Sequence, residues 1–143
     1  MSEGTAAMFG GHQTKGRVLI VDDEPDVRKV VKMTLNKAGF DVIEAEDGEQ
    51  AIAAIKEGEN PLLLDVIISD IRMPKINGVE AINYFQQQWP TVPLIVLTGF
   101  PDMEMAKGFL RQGIVDYLVK PVEKEKLIAA VTNAMEQREI TRL

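Results

Sequence analysis

The chain has 143 residues, with 22 Asp and Glu against 16 Lys and Arg, a net charge of −6, one histidine and no cysteine. That length suits about one domain with a real core, and an acidic chain with interspersed charges excludes the clustered basic footprint of a nucleic-acid binder. The missing cysteine excludes disulfides, thiolate catalysis and cysteine-ligated metal. No apolar run approaches the roughly 20 residues needed to cross a bilayer, and the N-terminus has no secretion pattern. A soluble, cytoplasmic protein without membrane contact is expected.

Residues 1–16 are Gly-rich, polar and without period, so they read as a flexible tail. His12 lies in it with no second ligand nearby and reads as a solvated residue. From Arg17 onward, strands and helices alternate. Val18-Leu19-Ile20-Val21 is a short apolar run that ends in Asp22-Asp23, the pattern of a buried parallel strand whose C-terminal edge carries charge. Glu24-Pro25 then looks like a helix start. Val27, Val30, Val31, Leu35 and Ala38 share one face at helical spacing, and Gly39 stops the helix.

A second strand is expected over Asp41 to Ala45 and a second helix over Gly48 to Glu57, with Ala51, Ile52 and Ile55 inward. Leu62-Leu63-Leu64 reads better as an apolar loop than as an extension of the third strand, because Asp65 interrupts the run. That strand, Asp65 to Ser69, ends in Asp70. The turn Met73 to Gly78 leads into a third helix that stops before Trp89-Pro90. Val92 to Leu97 is the fourth strand and ends at Thr98-Gly99. A helix from about Asp102 to Gln112, a fifth strand Val115 to Val119 ending at Lys120-Pro121, and a helix from about Glu123 to Arg138 complete the pattern.

Five βα units with short loops imply an α/β fold. The expectation is a doubly wound, five-stranded parallel sheet with five helices and the flavodoxin-like order 2-1-3-4-5. The folded unit is expected over residues 17–138, leaving 139–143 as a tail or the start of a linker. In that order the first and third strands are neighbours, about 4.8 Å apart, so Asp22, Asp23 and Asp70 crowd one pocket. Like charges at about 4 Å cost on the order of 4 kcal/mol per pair at an effective dielectric of 20. A hard cation among them relieves the cost, and carboxylates without His or Cys suit Mg2+ or Mn2+. Lys120 brings an ammonium that can reach a phosphoryl oxygen, Thr98 brings a hydroxyl, and a carboxylate can itself be a phosphoryl acceptor. Singly, each residue reads as a helix cap, a strand residue or a polar loop; their shared sheet edge argues for chemistry.

Val18-Leu19-Ile20-Val21-Asp22-Asp23-Glu24, Asp65-Val66-Ile67-Ile68-Ser69-Asp70-Ile71-Arg72-Met73-Pro74, Leu97-Thr98-Gly99 and Asp116-Tyr117-Leu118-Val119-Lys120-Pro121 resemble the receiver domain of two-component response regulators, from about Arg17 to Arg138. The resemblance implies that Asp70 accepts a phosphoryl group from a histidine of a sensor kinase or histidine phosphotransfer protein. It implies Mg2+ held by Asp23, Asp70 and the backbone carbonyl of Arg72, with Asp22 acting through water. It also implies that Thr98 and Lys120 contact the phosphoryl group, that Tyr117 is the aromatic switch residue, and that Lys120-Pro121 is cis. Gly99 stands where the family often has alanine. Two alternatives stay open, a phosphorylation-independent binding module on the same fold and an aspartyl-phosphate phosphohydrolase.

The helix from Asp102 carries two apolar stripes, Met105 with Phe109 and Met103 with Ala106 and Leu110. The first is expected in the core. The second, with Tyr117, is expected to form a contact face for an output protein or a second copy of the chain.

Overall fold

The computed structural model describes residues 14–72 and 78–142. His12, most of the expected tail and residues 73–77 of the turn lie outside them, as does Leu143. The sheet has five strands, β1 Arg17–Val21, β2 Asp41–Ala45, β3 Leu64–Ser69, β4 Leu94–Thr98 and β5 Asp116–Val119. They pair in parallel in the order β2-β1-β3-β4-β5, as the alternating pattern predicts. Parallel neighbours require crossovers, and the helices that make them cover both faces. Val31 and Leu35 of α1 (Pro25–Lys37) join Leu127, Ala130, Val131 and Ala134 of α6 (Lys124–Arg142) on one face. On the other lie Ala51 and Ile55 of α2 (Gly48–Lys56), Ala81, Ile82 and Phe85 of α4 (Gly78–Gln88), and Phe109 of α5 (Met103–Gln112).

The alternation of side chains along each strand splits the core. Val18 and Ile20 face α1 and α6, whereas Leu19 and Val21 face α2 and α4. Strands buried on both faces need continuous apolar runs, and β1, β3 and β4 have them.

The described residues hold six helices, one more than the sequence pattern suggests. The addition is α3, a single turn over Asn60–Leu63 with Pro61 near its start. Leu62-Leu63-Leu64 is therefore neither a plain loop nor wholly strand. Leu62 and Leu63 are exposed on the turn, and Leu64 enters the core as the first residue of β3. Asp65 explains the break: pairing with β1 slips a register between Arg17 and Val18, and Asp65 Oδ2 accepts the Arg17 N–H at 2.9 Å in place of a ladder bond.

Two further expectations change. Val30 of α1 is exposed, because only one residue per turn on that helix reaches the sheet while Val27 and Ala38 are half-buried. On α5, Phe109 is in the core as expected, but Met105 is 36% exposed. This short helix packs mainly against the edge strand β5, so it has room to bury one large side chain rather than a stripe.

Candidate functional site

The acids, Thr98 and Lys120 stand where strands run out, and backbone bonds beyond the strand ends help fix them. The Asp22 N–H donates to the Ala45 carbonyl at 3.0 Å, the Asp70 N–H to Val21 at 2.9 Å, and the Lys120 N–H to Thr98 at 2.9 Å. β1 and β3 are adjacent, so Asp22, Asp23 and Asp70 each bring a carboxylate oxygen to within 4.8 Å of the others. Asp22 and Asp70 are buried, while Asp23 is exposed at the pocket mouth.

Lys120 enters from the far side of Thr98 through a cis Lys120-Pro121 peptide. Its Nζ lies 2.7 Å from Asp22 Oδ2, 2.8 Å from Asp70 Oδ2 and 2.8 Å from Glu24 Oε1. The Asp22 contact lacks the angle of a hydrogen bond, leaving a buried carboxylate oxygen without a directed donor. Burial pushes the Asp22 carboxyl above the usual carboxylate range despite Lys120 and the Glu24 N–H that donates to it. Burial by itself would lower the Lys120 ammonium, but Asp22, Asp70 and Glu24 outweigh it and raise its pKa above the ordinary lysine range.

These residues fit a hard divalent cation. Three convergent carboxylates, one of them buried with an undirected oxygen, are an oxygen-only donor set, which suits such ions better than soft metals. The ammonium and a cation would compete for the same oxygens of Asp22 and Asp70.

Thr98 is fully buried, and its Oγ1 accepts the Phe100 N–H at 3.1 Å. Tyr117 is half-buried; its hydroxyl accepts the Asp102 N–H at 3.2 Å, ahead of α5. The Arg72 N–H donates to Asp70 Oδ1 at 3.0 Å, and its guanidinium carbon lies 4.0 Å from the Phe100 ring centroid, a cation–π contact that ties the loop after β3 to the loop after β4. A Cβ built on Gly99 would meet only the Lys120 Cδ, at an ordinary 3.7 Å. On α5, Met103 is 73% and Leu110 49% exposed, with Ala106 half-buried.

Sequence reasoning missed Glu24 as a partner of Lys120, taking it only as part of a helix start; the unbroken acid run Asp22-Asp23-Glu24 was the available signal. It also missed Arg28, whose guanidinium donates to the Asp22 carbonyl at 2.6 Å, and Phe100. An open groove of ≈ 610 Å³ runs from Asp70 and Lys120 along α1, past Val27 and Val30.

Strand order reverses between β1 and β3, and a doubly wound sheet offers its ligand site at such a switch point; the acids and the lysine are gathered there. The model of the response regulator receiver domain matches residues 18–132, and the chain belongs to that family. Over 120 residues it is 32% identical to the transcriptional regulatory protein GlrR of Escherichia coli (strain K12), covering 84% of this chain and 26% of GlrR. Over 126 residues it is 31% identical to the transcriptional regulatory protein FixJ of Bradyrhizobium diazoefficiens, covering 88% of this chain and 60% of FixJ. The chain thus spans only part of these curated relatives.

Among solved structures, a response regulator receiver domain protein of Clostridium thermocellum is similar with a TM-score of 0.81 and 28% identity, over 88% of this chain and 98% of that one. The chemotaxis response regulator CheY4 of Vibrio cholerae is similar with a TM-score of 0.73 and 32% identity, over 85% and 99%.

Proposed function

We propose that this chain is a phosphoacceptor in two-component signalling, with residues 17–138 as the receiver unit and Asp70 as the acceptor. The observation that carries the reading is the buried Asp70 carboxylate with the Lys120 ammonium 2.8 Å from Oδ2, beside the Thr98 hydroxyl on the next strand. The donor is a phosphohistidine of a sensor kinase or histidine phosphotransfer protein, which also implies a cytoplasmic location. An Asp70 oxygen attacks phosphorus, the O–P bond forms as the P–N bond breaks, and the leaving electron pair returns to the imidazole nitrogen. Lys120 and Thr98 address the phosphoryl oxygens, and such placement and charge stabilisation are most of what a protein supplies to phosphoryl transfer.

Asp22, Asp23, Asp70 and the Arg72 carbonyl would hold Mg2+, or Mn2+, which when bound neutralises charge on the transferring group. The new group adds roughly 1.5 to 2 negative charges and draws Thr98 toward it. Tyr117 then leaves the Asp102 N–H and turns inward, biasing a two-state element. The output face is Met103, Ala106, Leu110 and Tyr117, with the flank of α6, and it receives an output protein or a second copy of the chain. The domain acts as a signalling acceptor rather than a turnover enzyme. Its relatives GlrR and FixJ are transcriptional regulators by name; direct nucleic-acid contact is not assigned to this acidic domain.

Incubation with acetyl phosphate and Mg2+, read by intact mass, tests the reading. The wild type gains one phosphoryl group, and Asp70→Asn or added EDTA abolishes the gain. Equal labelling of Asp70→Asn would falsify the assignment. Turnover of phosphate esters would favour the phosphohydrolase, and labelling without any change in association would favour the phosphorylation-independent module.

A further inference from the structure

Lys120 has more partners than its proposed role requires. Two of them, Asp22 and Asp70, are buried acids of the site; the third, Glu24, comes from the first residue before α1 and is 58% exposed, against 13% for Lys120. Glu24 occupies the N-cap position of α1, yet its side chain caps nothing. Its own N–H is held by Asp22 Oδ1 at 2.9 Å, and Pro25 follows at the first turn. The backbone is therefore anchored while the carboxylate is free to choose between water and the ammonium, and it lies 2.8 Å from Nζ.

An ammonium has three protons to donate, and Lys120 has three carboxylates within 2.8 Å. Its directed hydrogen bonds go to Glu24 Oε1 and Asp70 Oδ2, with Asp22 an ion-pair contact, so an incoming phosphoryl oxygen competes with these anions for Nζ. Without a cation, releasing Asp22 or Asp70 would leave a charge buried without its partner, the costly outcome for an ion pair; a cation held by those acids would take over their charge and leave Glu24 as the carboxylate still contesting Nζ. Releasing Glu24 returns a carboxylate to water at little cost. Resting on the phosphoacceptor reading, we infer that Glu24 is a positioning residue that acts through Lys120. At rest it occupies the place on Nζ that a phosphoryl oxygen takes, so it competes with phosphorylation and gives way to it.

The bland alternative is general repulsion, in which any acid at the groove mouth slows an anionic donor. The two differ in reach. Glu24→Asp keeps the charge and shortens the side chain by one methylene, so contact is lost while repulsion remains. Asp26→Asn removes a charge lining the same groove from a residue with no contact to Lys120.

The experiment measures the initial rate of acetyl-phosphate labelling at saturating Mg2+ by intact mass, for the wild type, Glu24→Asp, Glu24→Gln and Asp26→Asn. In parallel, the solvent exchange of the 15N-labelled Lys120 ammonium is measured in metal-free protein. The expected result is labelling faster by about two- to fivefold in both Glu24 variants, the range set by breaking one half-exposed ion pair. Ammonium exchange should be faster in Glu24→Asp, and Asp26→Asn should match the wild type. Unaltered circular dichroism is expected, since the side chain makes no cap. Glu24→Asp that labels and exchanges like the wild type, or either Glu24 variant labelling more slowly, overturns the proposal while leaving the acceptor reading intact. A wild type that never labels overturns the acceptor reading and this inference with it, while the exchange arm still reports whether the contact exists.

Discussion

The sheet has a polar cluster buried at each end, and the two are built on opposite principles. At the N-terminal end of β3, Asp65 accepts the Arg17 N–H and faces Arg138 Nε at 3.9 Å. Arg138 also donates to the Thr91 carbonyl and hydroxyl at 2.9 and 2.6 Å, and Arg17 to Asn60 at 2.7 Å. The Asp65 carboxylate faces the Arg138 guanidinium while that of Arg17 is held by Asn60, and α6, α3 and β1 are tied to the sheet. At the C-terminal end, Asp22, Glu24 and Asp70 share Lys120, with Asp23 beside them. The first cluster sets one buried acid against a buried guanidinium and is structural. The second carries excess negative charge that a fold could have avoided, and that excess is what makes it able to accept a cation and a phosphoryl group.

Breaking the balanced end should cost most. Asp65→Ala removes both the carboxylate that faces the buried Arg138 and the acceptor of the Arg17 N–H, and breaking a buried pair typically costs about 3–5 kcal/mol; urea unfolding should show it, and a midpoint near wild type would mean the pair is replaceable. The unbalanced end should instead respond to added charge. Mg2+ at ten times its dissociation constant stabilises by roughly 1.4 kcal/mol through mass action, raising Tm by several degrees. The same addition should leave Asp70→Asn or Asp23→Asn with a smaller shift, and identical shifts would place the ion elsewhere.

Removing an acid from the crowded end should help rather than harm the metal-free protein. Because the folded state raises the Asp22 pKa, the stabilising effect of protonating Asp22 is complete below about 3.8 and is lost as pH rises through its folded value. At neutral pH the ionised group is a net cost. Asp22→Asn should therefore be more stable than the wild type at pH 7 in EDTA, where relief of desolvation and of repulsion from Asp70 exceeds the lost attraction to Lys120. The gain should shrink as pH falls toward 4. Lys120 runs the other way: its pKa is raised in the fold, so its contribution is full below about 10.5 and is lost as pH rises through the folded value. A pH-independent difference between Asp22→Asn and wild type would contradict this account.

The smallest effect is at Gly99, which has open space for a methyl group. Gly99→Ala should stabilise by about 0.4–1 kcal/mol through the unfolded chain, with Tm measured by calorimetry. A loss of stability would mean that the loop after β4 needs a conformation alanine resists.

Much of this was legible in the chain itself. Apolar runs ending in Asp22, Asp70, Thr98 and Lys120 announce parallel strands and their charged edge, because burial on both faces demands unbroken hydrophobicity and ligand-side residues must follow it. The alternation of strand and helix patterns then restricts the order, and with it the meeting of Asp22, Asp23 and Asp70. Side-chain destinations were decided only by the tertiary structure. Met105 and Val30 look like core residues by spacing but lie exposed, since a helix's buried arc depends on how far the sheet beneath it extends. Leu62 to Leu64 divides between a surface turn and the core because Asp65 takes a ladder position. Glu24 meets Lys120 across 96 positions of sequence, a contact with no local signature: periodicity reports which face of an element is apolar, whereas a long-range ion pair exists only once two strand ends have been brought together in space.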